Sequence, residues 1–413
     1  MEKARALTSE EQITRNTLLI LGIIFVAFNL RPSITSVGPL ISFIKEDTGM
    51  SNSVAGFITT LPLLAFAFLS PLAPRLSQKI GKETTVLVAL VFLGIGLFIR
   101  SSGMLFTLFL GTAIIGLGVA ICNVILPGIV KQSFPTKVGL MTGMYTVSMG
   151  TMAGIAPGIS VPLSETLHLG WQGSLRVWMI LIIPALLIWL IQSKRKEKIP
   201  GQYFQVKPAN SSLLSSGLAW QVTLFMGLQS TIYFCFITWL PEMLYSHGIS
   251  ISTAGWMVSI LQFSGIPANF IIPILADRVP NQKGIVIAIG ALCMSGLIGL
   301  LVGGNLVLLC LSIISIGLGT GAAISLALTL MVLRAANAEQ AANLSAMSQS
   351  IGYFLAALGP ILLGFIFDVF HSWIIALFLL MALTVIMTVA GIGAGRNQYV
   401  LEEKRGAIHT LQQ

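Results

Sequence analysis

The residue in this chain best placed to do chemistry is Arg31. It stands beside Pro32 in FNLRPSITSVGPL, residues 28–40, well inside an apolar run. A guanidinium is always charged and holds its donors in a fixed planar fork, which suits planar anions or polarised planar rings. At 1.5 Å rise per residue, a helix over residues 18–44 puts Arg31 ~20 Å from either end. If the helix stops at Pro39, the nearer end is still ~12 Å away, too far for easy snorkelling. An arginine at the centre of a bilayer costs ~2.5 kcal/mol or more, so this one must face protein or water. A structural arginine would ask for a buried acid. None of the 14 acids is expected at that depth, and Glu242 and Asp368, which come closest, are expected near the outer surface. The counter-charge is therefore expected from a ligand. Pro32 removes a backbone donor, leaves the carbonyl of Phe28 without its usual partner, and biases Arg31 away from helical angles. Irregular backbone at membrane depth is tolerated where it lines a cavity.

Other polar residues fall near the middle of apolar runs: Asn29, Asn123, Tyr145, Gln229, Tyr233, Trp239, Gln262, Gln349 and Tyr353. All of these except Trp239 are carried as candidate substrate contacts. Each could equally serve as an interhelical hydrogen bond worth ~0.6 kcal/mol. The glycines and prolines at 143–158 and 352–364 suit close packing and kinks better than contact with a solute. Cys122, Cys235, Cys293 and Cys310 have the spacing of neither a zinc site nor a disulfide framework. No nucleophile–base pair and no phosphate loop stands out, so neither an enzyme nor a cofactor or metal is expected.

What positions these residues is a set of membrane-length helices. The chain has 413 residues, 55% hydrophobic and only 9% charged, against about 25% charged in a soluble domain. Twelve apolar runs are long enough to cross the ~30 Å hydrocarbon core: roughly 17–44, 52–74, 84–101, 104–131, 138–163, 174–193, 217–245, 252–276, 284–302, 305–333, 341–368 and 372–395. Strand-like alternation is missing from all of them, so the expected class is all-α and polytopic, not a barrel. The first run lacks a cleavage site and is too long for a signal.

Basic loops stay cytoplasmic. With the N-terminus inside, all but four of the 23 Lys and Arg fall on the inner side; Lys45, Arg100 and Arg176 fall at outer ends, and Arg31 is intramembrane. Both termini are therefore expected in the cytoplasm. The net charge of +9 reads as a topology signal with leaflet contact and needs no nucleic acid.

Residues 194–216, KRKEKIPGQYFQVKPANSSLLSS, form the longest polar interval and divide the chain into a six-helix half at 1–193 and a second at 217–413. The halves repeat. At an offset of 199, GMSNSVAGF (49–57) lies over GISISTAGW (248–256), and PRLSQKI (74–80) over PILADRV (273–279). Two separate matches in one register make a parallel repeat of six helices.

These residues carry a resemblance. The loops after runs 2 and 8 resemble the G-x-x-x-D-R-x-G-R-R signature of the major facilitator superfamily. Asp277 and Arg278 keep that pattern and Gln78 and Lys79 are a weaker copy; Gln78 replaces the acid, and Pro273 and Pro280 replace glycines. The resemblance implies a gating latch on the inner side. NLRPSITSVGPL, AGFITTLPLLAF, NVILPGIVKQSFP, VGLMTGMYT and LGWQGSLRVW resemble the cyanate and nitroimidazole transporter family within it. What this implies is a monomeric secondary transporter of a small solute, with its site between the halves and helices 1, 4, 7 and 10 lining it. Gln229 and Tyr233 then rank above the other neutral candidates. Two solutes compete: a small anion or planar weak acid such as cyanate, or an exported planar heterocycle such as a nitroimidazole. A membrane-embedded enzyme or sensor is the remaining class. No Asp, Glu or His is expected at the depth of Arg31, which points to facilitated movement or exchange of an anion rather than proton symport through a buried acid.

Overall fold

A computed structural model describes residues 9–69, 72–193 and 211–401. Most of the 194–216 interval and the last part of the C-terminal tail lie outside the described residues. The described chain is helical, with no strand in it. Eleven of its helices are long and apolar enough to cross a membrane. Numbered as spans in chain order, with the less apolar Val138–Glu165 included as span 5, they are Asn16–Thr48 (1), Asn52–Leu69 (2), Lys82–Arg100 (3), Leu105–Ser133 (4), Gly170–Ser193 (6), Gly217–Ser246 (7), Ile251–Arg278 (8), Lys283–Val302 (9), Leu306–Leu333 (10), Ala338–Phe370 (11) and Trp373–Ala394 (12). Span 5 runs for 28 residues, long enough to cross, and its Gly, Ser, Thr and Met content lowers its apolarity.

Two hydrophobic clusters fill the interior. One is built mainly from residues 213–400, the other mainly from residues 23–189, and Tyr233 and Tyr353 pack against both. Large apolar side chains such as Phe98, Phe106, Ile180, Val302 and Val389 point outward. That is the surface a helix bundle needs in hydrocarbon, where lipid replaces water as the solvent.

The repeat has a structural reason. Gly49 and Gly248 both take left-handed backbone, with φ of 69° and 80°, which glycine adopts without a Cβ penalty. Two residues on, Ser51 and Ser250 each accept a hydrogen bond from the amide three residues ahead, Val54 and Thr253, capping spans 2 and 8. The matching glycines and serines are thus turn and cap residues.

Span 1 is continuous to Leu30, breaks at Arg31, and resumes as Pro32–Thr35, Gly38–Leu40 and Ile41–Thr48. The break is milder than expected from Pro32. Arg31 has φ −101° and ψ −41°, still in the right-handed region. Its carbonyl accepts from the amides of Ile34 and Thr35 and from the Thr35 hydroxyl. A widened φ, with no extended residue, is enough to interrupt the ladder.

Candidate functional site

A cavity of about 580 Å³ lies between the two hydrophobic clusters. Span 1 contributes Arg31 and span 2 Phe66; span 4 contributes Asn123 and Pro127, span 5 Thr146 and Gly150. Spans 7 and 8 bring Gln229, Tyr233, Phe234, Gln262 and Asn269. Spans 10 and 11 add Gly317, Thr320, Ser345, Gln349 and Tyr353. The lining extends to Pro74, Leu328 and Ala342, near the ends of their helices on the side that carries Lys79, Lys82, Lys131 and Lys137. That side is called the basic face below. Towards the opposite face the lining stops near the level of Arg31.

Seven of the nine expected contacts are therefore brought together: Arg31, Asn123, Gln229, Tyr233, Gln262, Gln349 and Tyr353. Asn29 and Tyr145 are not in the lining. The Asn29 amide turns the other way, donating to the carbonyls of Phe25 (2.7 Å) and Leu181 in span 6 (2.9 Å). Tyr145 packs with the first-half cluster while its neighbour Thr146 reaches the cavity, a step of one residue, or 100° around a helix.

Within the cavity most of the neutral polar groups hold each other. Gln262 and the Tyr233 hydroxyl pair at 3.0 Å, Gln229 donates to Ser230 at 2.7 Å, and Gln349 to Ser345 at 2.7 Å. The side chains of Arg31, Asn123 and Tyr353 form no hydrogen bond among the described residues. Arg31 is half-buried and is the one Lys, Arg, Asp, Glu or His among the described residues of the lining. Four aromatic rings wall the same space. Phe66 and Tyr353 lie 5.2 Å apart between centroids, and Tyr233 meets Phe234 edge-on at 5.0 Å.

Sequence reasoning overlooked Phe66 and Asn269. Asn269 lies seven residues after Gln262, two helical turns, so it shares that face. That spacing was a usable signal.

The opposite face is shut by contacts between the first and second halves of the chain. Asp368, in span 11, accepts from the backbone amides of Asn52 (2.9 Å) and Ser53 (2.8 Å) and from both their side chains. Those amides are the first two of span 2, so a carboxylate from span 11 caps span 2 and meets its positive end. Glu242 accepts from Ser42 at 2.9 Å and lies 3.6 Å from Lys45. A Cβ on Gly38 would stand 2.2 Å from the Ile237 carbonyl oxygen, and one on Gly56 2.4 Å from that of Pro360. Only glycine lets these backbones approach so closely.

The basic face is different. Gln78, Lys79, Asp277 and Arg278 are all exposed. None of the four side chains forms a hydrogen bond or ion pair among the described residues. The open cavity and the free signature loops belong to one state, closed opposite and open at the basic face.

Arg100 closes span 3, at the helix end where it was expected, yet it is 0% exposed and donates to the carbonyl of Ser33. A guanidinium can therefore be buried in this chain without an acid. What sets Arg31 apart is that it faces a cavity and lacks even a carbonyl partner.

The family model described as Major Facilitator Superfamily matches residues 19–357 and 243–396. The chain is 51% identical to the uncharacterized transporter YycB of Bacillus subtilis over 94% of its length and 96% of that protein's. It is 38% identical to the 2-nitroimidazole transporter of Escherichia coli over 93% and 96% of the two lengths. It is 26% identical to the cyanate transport protein CynX of Escherichia coli, over 83% and 88%. Among solved structures the nucleoside transporter NupG aligns with a TM-score of 0.76 at 15% identity, covering 91% of this chain and 99% of that one. At that identity the likeness speaks for the fold.

Proposed function

The chain belongs to the Major Facilitator Superfamily, within its cyanate and nitroimidazole transporter family, and from that premise we propose that it carries a small planar solute across the cytoplasmic membrane by alternating access around Arg31. The observation that carries this reading is the free guanidinium at the closed end of an aromatic-walled cavity. A flat ring would lie between Phe66, Tyr233, Phe234 and Tyr353. Its oxygen-bearing edge, a carboxylate or nitro group, would take the two parallel donors of Arg31, with Asn123 beside them.

Cavity size favours the larger planar solutes of the sequence reading, a planar weak acid or a planar heterocycle, over a triatomic anion. A triatomic anion such as cyanate would leave most of about 580 Å³ to water and make no use of the aromatic walls. Planar acids and rings use both. The 38%-identical relative is named for a nitroimidazole, which supports the same choice.

The halves at 1–193 and 217–413, joined by the 194–216 linker, rock about this site. The basic face lies in the cytoplasm with both termini, a placement that the distribution of Lys and Arg supports. Each monomer holds a whole cavity. Arg31 does not deprotonate under ordinary conditions, and the lining supplies no acid or imidazole. Facilitated movement or exchange fits this better than proton symport through the cavity.

A thermal-stabilisation screen of the purified protein against cyanate, nitrate, formate, benzoate and 2-nitroimidazole tests the reading. Benzoate or 2-nitroimidazole should raise the melting temperature, and Arg31→Ala should abolish the rise while keeping a cooperative melt. A rise with cyanate alone would overturn the planar-ring choice. A rise that survives Arg31→Ala would overturn the site.

A further inference from the structure

Span 1 is held from behind on both sides of Arg31. Two residues before it, the Asn29 amide donates to Leu181 in span 6 at 2.9 Å. Two residues after it, the Ser33 carbonyl receives a hydrogen bond from Arg100 in span 3. The need for the second contact follows from the break. In an unbroken helix the Ser33 carbonyl would accept from the amide of Val37, but that amide points, at 3.5 Å, to Ile34. Arg100 supplies the donor that the ladder lost.

The investment in this contact is large. Arg100 is fully buried with no carboxylate against it, and its Nε and Nη2 have no partner. A charge at such a place is expensive unless it is used, and helix stability at the end of span 3 does not require it. The end of span 3 is itself fixed: Arg176 donates to the carbonyl of Ser101 at 2.7 Å. Arg176 closes the short helix Gly170–Arg176. Trp171 and Gln172 in that helix donate to Asp47 near the end of span 1 at 3.0 and 3.2 Å. The sequence run LGWQGSLRVW, which no cavity contact explains, thus ties spans 1 and 3 together around Arg100.

We propose that Arg100, braced by Arg176, is a positioning residue that holds the broken segment of span 1 so that Arg31 projects into the cavity. Neither residue touches the solute. The inference rests on the reading of Arg31 as the solute-binding group, but the placement it describes is measurable without any solute.

Arg31→Cys in an otherwise cysteine-free background, treated with a small water-soluble maleimide, reports where position 31 lies. Adding Arg100→Gln should change the alkylation rate by about tenfold, what losing a charge-assisted hydrogen bond can do to a local equilibrium. Arg100→Lys, with one donor and no fork, should fall between. With native Arg31, the same Arg100 variants should weaken benzoate or 2-nitroimidazole binding and leave maximal flux nearly unchanged. An unchanged alkylation rate in folded Arg100→Gln would overturn the proposal, whatever the solute proves to be. So would failure of both variants to assemble, since Arg100 would then serve the fold alone. An altered alkylation rate with unaltered binding would uphold the positioning and sink the solute site instead.

Discussion

Asp368→Asn should loosen the closed face of the transporter, and the structure sets the size of the effect. The carboxylate accepts four hydrogen bonds, 2.5 to 2.9 Å long, from Asn52 and Ser53. The amide keeps one accepting oxygen and so at most about half of them, and it loses the charge. A hydrogen bond to a charged group contributes ~1.5–3 kcal/mol, and a charge at a helix N-terminus ~0.3–1 kcal/mol. Asp368 is only half-buried, so the low end applies, about 1.5–2 kcal/mol in all. That is a shift of roughly ten- to thirty-fold towards opening at this face. Thr238 is buried beside the Gly38–Ile237 crossing, and Thr238→Cys reports the opening through alkylation by an impermeant maleimide. The rate should rise about tenfold in Asp368→Asn. A rate within twofold of the parent, in a protein that melts normally, would show that the span 2–span 11 cap is not the latch.

Glu242→Gln should change the same rate by less than about threefold, because its partner Lys45 is partly exposed and such pairs contribute ~0–1 kcal/mol; a larger change would reverse the ranking of the two latches. Gly56→Val should force spans 2 and 11 apart at the Pro360 carbonyl and raise Thr238→Cys labelling; labelling at the parent rate would refute the close approach. Asp277→Asn should favour the state seen here, since Asp277 is free in it and is proposed to latch the basic face in the other. Unchanged reactivity of Leu328→Cys, in the cavity wall nearest that face, would remove the latch role.

What was legible beforehand followed from strong, local signals. Membrane length, charge asymmetry and the serine and glycine caps of the repeat are one-dimensional features, so the all-helical class and the depth of Arg31 could be read directly. Rotation about a helix axis is a weaker signal. Asn29 and Tyr145 had the right depth but the wrong face, because depth can be counted along one helix while the face that meets the cavity is set by how the other helices pack against it. Arg100 lies at the helix end where it was expected, but its burial was not legible. Its burial follows from a carbonyl in another helix, that of Ser33, which the Val37 amide leaves unpaired by turning to Ile34. Asp368 was correctly kept off the level of Arg31, yet its service as a cap to span 2, more than 300 residues earlier, is a tertiary fact no local pattern carries.

The central claim is that solute crosses by way of Arg31. Counterflow of labelled benzoate and labelled 2-nitroimidazole in proteoliposomes measures it most directly, comparing the parent with Arg31→Ala and Arg31→Lys at equal amounts of folded protein. At least one of the two solutes should exchange in the parent, at a rate insensitive to an imposed pH gradient. The exchange should vanish in Arg31→Ala and fall steeply in Arg31→Lys, which keeps the charge but not the planar fork. Parent-like exchange in Arg31→Ala would contradict the account.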